Sequence, residues 1–248
     1  MLFRVLGSLE LSGQAEGPVC VRPHKPRTLL ALLLLHADRW VSNAVIENAL
    51  WEGLPPRSAP GNIKTYVSQL RRTLTALGDG HGRIANRVGA YRISVGPGEL
   101  DVFRFEESVR LGREARHRSA DGEAVEHFRE ALGLWRGEPY EDLPLSIRRP
   151  VTARLEELRW TAREELIDVR LMLGQHHTVV PDLRALTIEH PTRERLWCLL
   201  LVALHRSGRR ADALDAYQSA YRSLTDGLGI EPGAELRRLH EKMLADTL

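Results

Sequence analysis

Cysteine is nearly missing from this chain: Cys20 and Cys198 are the only two in 248 residues, and they lie far apart. Thiols so few and so separated exclude a disulfide framework, and they fit a reducing, cytoplasmic setting. Long apolar runs are missing as well. LLALLLLHA, Leu29 to Ala37, falls far short of the roughly 20 residues that cross a bilayer, and Asp38 and Arg39 follow it at once. The N-terminal MLFRVLGSLEL alternates like a strand and lacks the layout of a signal peptide. The ten histidines are scattered; His176 and His177 are the only adjacent pair, and helical neighbours point about 100° apart, so no metal site is expected. The chain has no G-x-x-x-x-G-K-[ST] phosphate loop and no G-x-S-x-G nucleophile turn. Glu156-Glu157 and Glu164-Glu165 sit in helical text and read as solvated faces. These absences point away from an enzyme and from a membrane or secreted protein. No catalytic residue, metal or cofactor is expected.

The net charge of +2 hides an asymmetry. Residues 1–98 hold 12 Lys+Arg against 6 Asp+Glu, and the remainder holds 23 against 27. A basic first part joined to a mildly acidic remainder suits a polyanion partner for the first part only. The hydrophobic period changes near the same place. FRVLGSLEL alternates with period two and predicts a strand or hairpin opening. KPRTLLALLLLHA predicts a helix, with Pro26 where its missing N–H costs little. Ser42 is placed to cap a second helix, SNAVIENALW, and PPRSAP is a turn-rich break. NIKTYVSQLRRTL, extended to about Gly78, predicts a third helix. RIANRVGAYRISV then reads as a β-hairpin around Gly89-Ala90, and Gly96-Pro97-Gly98 closes the unit.

From Asp101 the text turns helical and weakly repetitive. Trp197, Leu200, Gly208, Ala213, Tyr217 and Ala220 fit the tetratricopeptide pattern, and Leu166, Gly174, Leu183, Leu186 and Pro191 repeat it about one period earlier. A third copy shows Leu111, Gly112, Ala124, Phe128 and Ala131, with LWRGEPYEDLP interrupting the period after it. Helix pairs that bury one face against the next are the expectation; a generic helical bundle is the alternative.

On a helical wheel, Ile63, Val67, Leu70, Leu74 and Leu77 form one stripe that must face a core. Asn62, Thr65, Gln69 and Arg72 lie opposite, Tyr66 lies at the border, and Lys64 and Arg71 share a shoulder. No Asp or Glu occurs from Ala59 to Leu77, whereas a solvated helix ordinarily mixes both signs. Amides, hydroxyls and cations without carboxylates suit base edges and phosphates. A solvated helix with a basic rim is the alternative. The hairpin favours nucleic acid: three helices followed by a hairpin is the order of a winged helix. Arg87 and Arg92 flank its turn, and an arginine there is placed to enter a minor groove.

These residues carry a family resemblance. "LLALLLLHADRWVS", "LW", "NIKTYVSQLRRTL" and "RVGAYRISV" are similar to an OmpR-type winged helix. "EALGLWRGEPYEDLP", "RLEELR", "LGQHHTVVPDLRALTIEHPTRERLW", "LHRSGRRADALDAYQ" and "LGIEPGAELRRLHEKML" are similar to the bacterial transcriptional activator domain that accompanies it. The whole chain resembles the Streptomyces antibiotic regulatory proteins. The resemblance implies a mixed fold: an α+β, OmpR-type winged helix over 1–98, then an all-α, tetratricopeptide-like domain over 99–248. It implies a transcriptional activator of an antibiotic gene cluster that binds direct repeats of double-stranded DNA near the −35 region. Such a protein acts in side-by-side pairs or dimers and recruits RNA polymerase holoenzyme through its sigma factor and other subunits. Asn62, Thr65, Tyr66 and Gln69 would face bases, Arg71 and Arg72 would hold phosphates, and Arg87 would approach the minor groove; Lys64 and Arg92 complete the expected DNA-binding set. A departure falls at Ala90-Tyr91, where relatives carry Gly before the Tyr. The resemblance also implies a small stand-alone form, without receiver, ATPase or sensor regions. Two other readings remain open: a helical-repeat scaffold, and a regulator gated by a small molecule in a pocket lined by Trp135, Tyr140, Trp160 and Trp197.

Overall fold

The computed structural model describes residues 2–13, 19–78, 82–245 and 247. Ten helices and six strands lie among them, the strands in two small antiparallel sheets. β1 (Leu2–Arg4), β2 (Glu10–Ser12) and β3 (Val19–Cys20) form the first in that order, with Phe3 opposite Leu11. The alternation expected of FRVLGSLEL holds within β1 and β2, where Phe3 and Leu11 are buried and Arg4 and Glu10 reach the surface and pair across the strands; between them Val5, Leu6 and Leu9 are all buried and the alternation is lost.

α1 (His24–Leu35) buries Pro26 and every residue from Thr28 to Leu34. Pro26 is the third helical residue, where no intrahelical donor is required. β4 (Val41–Ser42) leads into α2 (Asn43–Trp51), and the Ser42 hydroxyl accepts the Val45 amide as an N-cap. α3 spans Ala59–Ala76 and is followed by β5 (Ile84–Arg87) and β6 (Ala90–Ile93). The second sheet has the order β4–β6–β5, with Val41 opposite Tyr91 and Ile84 opposite Ile93. Its core face holds Val41, Ile84 and Ile93, all buried.

The chain divides into two compact units, Met1–Arg110 with Glu130–Arg159, and Leu111–Arg129 with Trp160–Leu248. Compactness therefore does not change at residue 98. LWRGEPYEDLP, expected only as an interruption of a helical period, packs on the first sheet. The Arg136 amide donates to the Leu6 carbonyl at 2.8 Å, and the Tyr140 amide to that of Val5 at 2.7 Å. Asp101, 1% exposed, accepts the Val5 and Leu6 amides at 2.9–3.0 Å, and its carboxyl is pushed up by burial against those hydrogen bonds. Asp142 accepts the Leu9 amide and pairs with Arg27, and Trp135 meets Phe105 edge-on at 5.3 Å.

The helical text from Asp101 forms α4 (Asp101–His117), α5 (Asp121–Gly133), α6 (Leu145–Met172), α7 (His176–Glu189), α8 (Glu194–Arg206), α9 (Arg210–Leu228) and α10 (Ala234–Leu244). In the second unit, Gly174 and Gly208 take positive φ (77° and 73°) in the turns before α7 and α9. Leu183, Leu196, Leu200, Leu204, Ala213, Ala220 and Leu224 form its core. Ala213 and Ala220 are fully buried, and a β-carbon on Gly112 would lie 2.9 Å from the Phe128 ring. Tyr217 stacks on His240 at 3.7 Å.

Candidate nucleic-acid interface

α3 separates its residues much as the wheel requires. Ile63, Val67, Leu70 and Leu74 are buried together with Ala59, while Leu77 is half-buried, because the helix ends at Ala76 and Leu77 is its C-cap. Lys64, Thr65, Ser68, Arg71 and Arg72 are exposed; Asn62, Tyr66 and Gln69 are half-buried. Asn62 donates its side-chain amide to the Ser58 hydroxyl at 3.3 Å, and Thr65 returns its hydroxyl to the Gly61 carbonyl at 3.2 Å. Both remain within reach of an outside partner. Gln69 has its Oε1 buried without a hydrogen-bond partner. Lys64 and Arg72 have no charged partner among the described residues.

Arg71 is differently placed. Its Nε and one terminal nitrogen donate to the Ile84 carbonyl at 3.1 and 2.7 Å, and that same nitrogen reaches Asn86 Oδ1 at 3.0 Å. A residue expected to hold phosphate thus ties α3 to the hairpin. The spacing of NIKTYVSQLRRTL gave no sign of this, because the acceptor arrives 13 residues later.

The hairpin closes through Val88-Gly89, with Arg87 opposite Ala90. Gly89 takes φ 71°, its surroundings are open, and its carbonyl accepts the Asn43 amide, which ties the tip to the start of α2. Neither arginine occupies the tip, where Val88 is fully exposed. Both lie back on Trp40, the Arg87 guanidinium 4.7 Å and that of Arg92 4.9 Å from its ring centroid. At the base of the hairpin, Arg83 is paired with Glu99. Its hydrogen bonds hold the Glu99 carboxyl at about 2, against the cost of partial burial. One hairpin cation is therefore neutralised, while Arg87 and Arg92 face no carboxylate among the described residues. Trp40 was not singled out by sequence reasoning, because the two-residue strand that follows it carries no period.

The four aromatics considered for a ligand pocket are divided between the two compact units. Trp135 and Tyr140 belong to the first unit, Trp160 and Trp197 to the second. Trp160 lies under Arg163 and Arg193. Trp197 is 6% exposed and donates its indole N–H to the Pro191 carbonyl at 2.9 Å; it borders a cavity of about 290 Å³ with Ile188, Leu200 and Asp215. No helix among the described residues is long and apolar enough to cross a membrane.

Residues 100–244 match the bacterial transcriptional activator domain. The chain is 39% identical to the regulatory protein DnrI of Streptomyces peucetius, over 98% of this chain and 92% of that one. It is 37% identical to the transcriptional regulator RedD of Streptomyces coelicolor, over 98% and 70%. It is 35% identical to the transcriptional regulatory protein EmbR of Mycobacterium tuberculosis, over 98% of this chain but 63% of EmbR. A solved structure of Mycobacterium tuberculosis EmbR, in complex with a low affinity phosphopeptide, superposes with a TM-score of 0.92 at 34% identity, covering all of this chain and 65% of the other. The domain match spans more than half the chain and the DnrI match nearly all of both proteins, so the chain belongs to the Streptomyces antibiotic regulatory proteins, a family of transcriptional activators.

Proposed function

We propose that this chain is a sequence-specific DNA-binding activator of an antibiotic gene cluster, acting in the cytoplasm and not as an enzyme. Residues 1–98 serve as an OmpR-type winged helix and residues 99–248 as a tetratricopeptide-like activator domain. α3 lies in the major groove, where Asn62, Thr65, Tyr66 and Gln69 meet base edges and Lys64 and Arg72 meet phosphates. Arg71 sets the hairpin against the helix, and Arg87 and Arg92 form the second contact. The protein binds direct repeats of double-stranded DNA side by side and recruits RNA polymerase holoenzyme through the second domain.

One observation carries this reading most strongly. α3 presents amides, hydroxyls and cations, and neither Lys64 nor Arg72 on it has a carboxylate partner among the described residues. An ordinary solvated helix offsets its cations with acids at neighbouring turns. The relatives' names, regulatory proteins of streptomycetes among them, support the same conclusion.

Gel-shift titration against promoters of the neighbouring genes tests it. Binding should exceed that to random duplex of equal length at physiological salt, and transcription in vitro should rise only with an intact second domain. Equal affinity for promoter and random DNA removes the sequence-specific reading. Full activation by the first domain alone removes the division of labour.

A further inference from the structure

The β4–β6–β5 sheet has a second face that the DNA reading leaves unexplained. The register sets Arg92 opposite Ala85 and Arg87 opposite Ala90, so both arginines leave the sheet on the side away from Val41, Ile84 and Ile93. Trp40, one residue before the strand that pairs Val41 with Tyr91, falls on that side too. Two guanidiniums repel each other, and no carboxylate among the described residues offsets them; each instead lies within 5 Å of one indole ring. The ring's negative face supplies the attraction that a carboxylate would otherwise give. Neither guanidinium has a hydrogen-bond acceptor among the described residues; Arg92 Nε is buried, so the exposed Arg87 and the outer nitrogens of Arg92 are what a partner can reach. A carboxylate would have bound those donors and cancelled the charge, whereas an indole holds the cations in place and cancels nothing.

We propose that Trp40 is a positioning residue for the DNA backbone: it holds Arg87 and Arg92 together, charged and with free N–H edges, as a phosphate clamp beside the hairpin tip. The inference rests on the reading of this chain as a DNA-binding protein. It alters the role expected for Arg87, which lies folded against Trp40 behind a tip made of Val88 and Gly89. A clamp on phosphates strengthens binding to every sequence, whereas an arginine read out in a minor groove strengthens binding to some.

The test uses the full chain with Trp40→Leu, Trp40→Phe, the Arg87→Ala/Arg92→Ala pair, and that pair combined with Trp40→Leu. Affinity is measured for promoter and random duplexes between low and physiological salt. Trp40→Leu should weaken binding to both duplexes by the same factor, about threefold to tenfold, and flatten the salt dependence in the direction of the arginine pair. Trp40→Phe, which keeps an aromatic face, should recover most of the loss. In the arginine-pair background, Trp40→Leu should cost nothing further, an outcome that a merely structural tryptophan would not produce. Quenching of tryptophan fluorescence by random duplex should be lost in Trp40→Phe. A loss additive with the arginine pair, or one confined to the promoter duplex, overturns the proposal. Failure of the unaltered chain to bind any duplex overturns the DNA reading itself, and the clamp with it.

Discussion

Arg71 and Arg72 are adjacent in sequence and opposite in circumstance. Arg72 is exposed with no charged partner among the described residues, while Arg71 spends three hydrogen bonds on Ile84 and Asn86. Arg72→Ala should weaken binding to all duplexes and lower the salt slope by about one. Arg71→Ala should lower the stability of the fold by about 1–2 kcal/mol, since it strips a half-buried carbonyl of its donors. Gln69→Ala, on the same helix, should reduce promoter preference by about 1–3 kcal/mol and leave random-DNA affinity nearly unchanged. Denaturant melts alongside duplex titrations separate the three. If Arg71→Ala melts like the parent while losing affinity as Arg72→Ala does, the tether is not its main role. The wheel distinguished a buried stripe from an outward face because burial follows the 3.6-residue period. It could not distinguish the two arginines, whose difference is set by a strand from elsewhere in the chain.

At the scale of elements, the helices and the hairpin were legible wherever a period and a punctuating residue agreed. Ser42 caps α2, the break expected at PPRSAP ends at Ser58 because Ala59 and Pro60 already form the first turn of α3, and Gly89 sits in the hairpin turn. β4 was not legible, because two residues carry no period and its pairing with β6 is long-range. The close approach of α4 to α5 leaves no period of its own in the sequence, and Gly112 gives it a measurable form. A β-carbon there meets the Phe128 ring at 2.9–3.0 Å, and that ring is fully buried. Gly227 in α9 has open space around it. Gly112→Ala should therefore destabilise the protein by about 1–2 kcal/mol, the overpacking outweighing alanine's better helix propensity. Gly227→Ala should stabilise it by up to about 1 kcal/mol for the propensity alone. Thermal melts decide this, and shifts of the same sign for both would mean that the Phe128 contact relaxes freely.

At the scale of the whole molecule, charge and compactness divide the chain differently. The charge split at residue 98 can be counted directly in the sequence. Compactness does not follow it, since residues 130–159 belong with residues 1–110. The reason is backbone pairing that leaves no periodic trace. Val5 and Leu6 give their amides to Asp101 and their carbonyls to Tyr140 and Arg136, all beyond residue 98. A fragment ending at Gly98 loses every one of these partners and uncovers Phe3, which the Glu99 carbonyl and Leu100 otherwise hold in place. Each buried amide or carbonyl left unpaired costs about 1–3 kcal/mol, so the fragment should be several kcal/mol less stable than the same residues in the full chain. Hydrogen exchange reads this locally: the Val5 and Leu6 amides should be protected in the full chain and exchange freely in the fragment, while α1 amides keep part of their protection. Asp101→Ala in the full chain removes the acceptor alone and should expose those same two amides with the rest of the sheet intact. Equal protection of Val5 and Leu6 in fragment and full chain would show that residues 1–98 form a self-sufficient unit and that the segment after α5 merely rests on it.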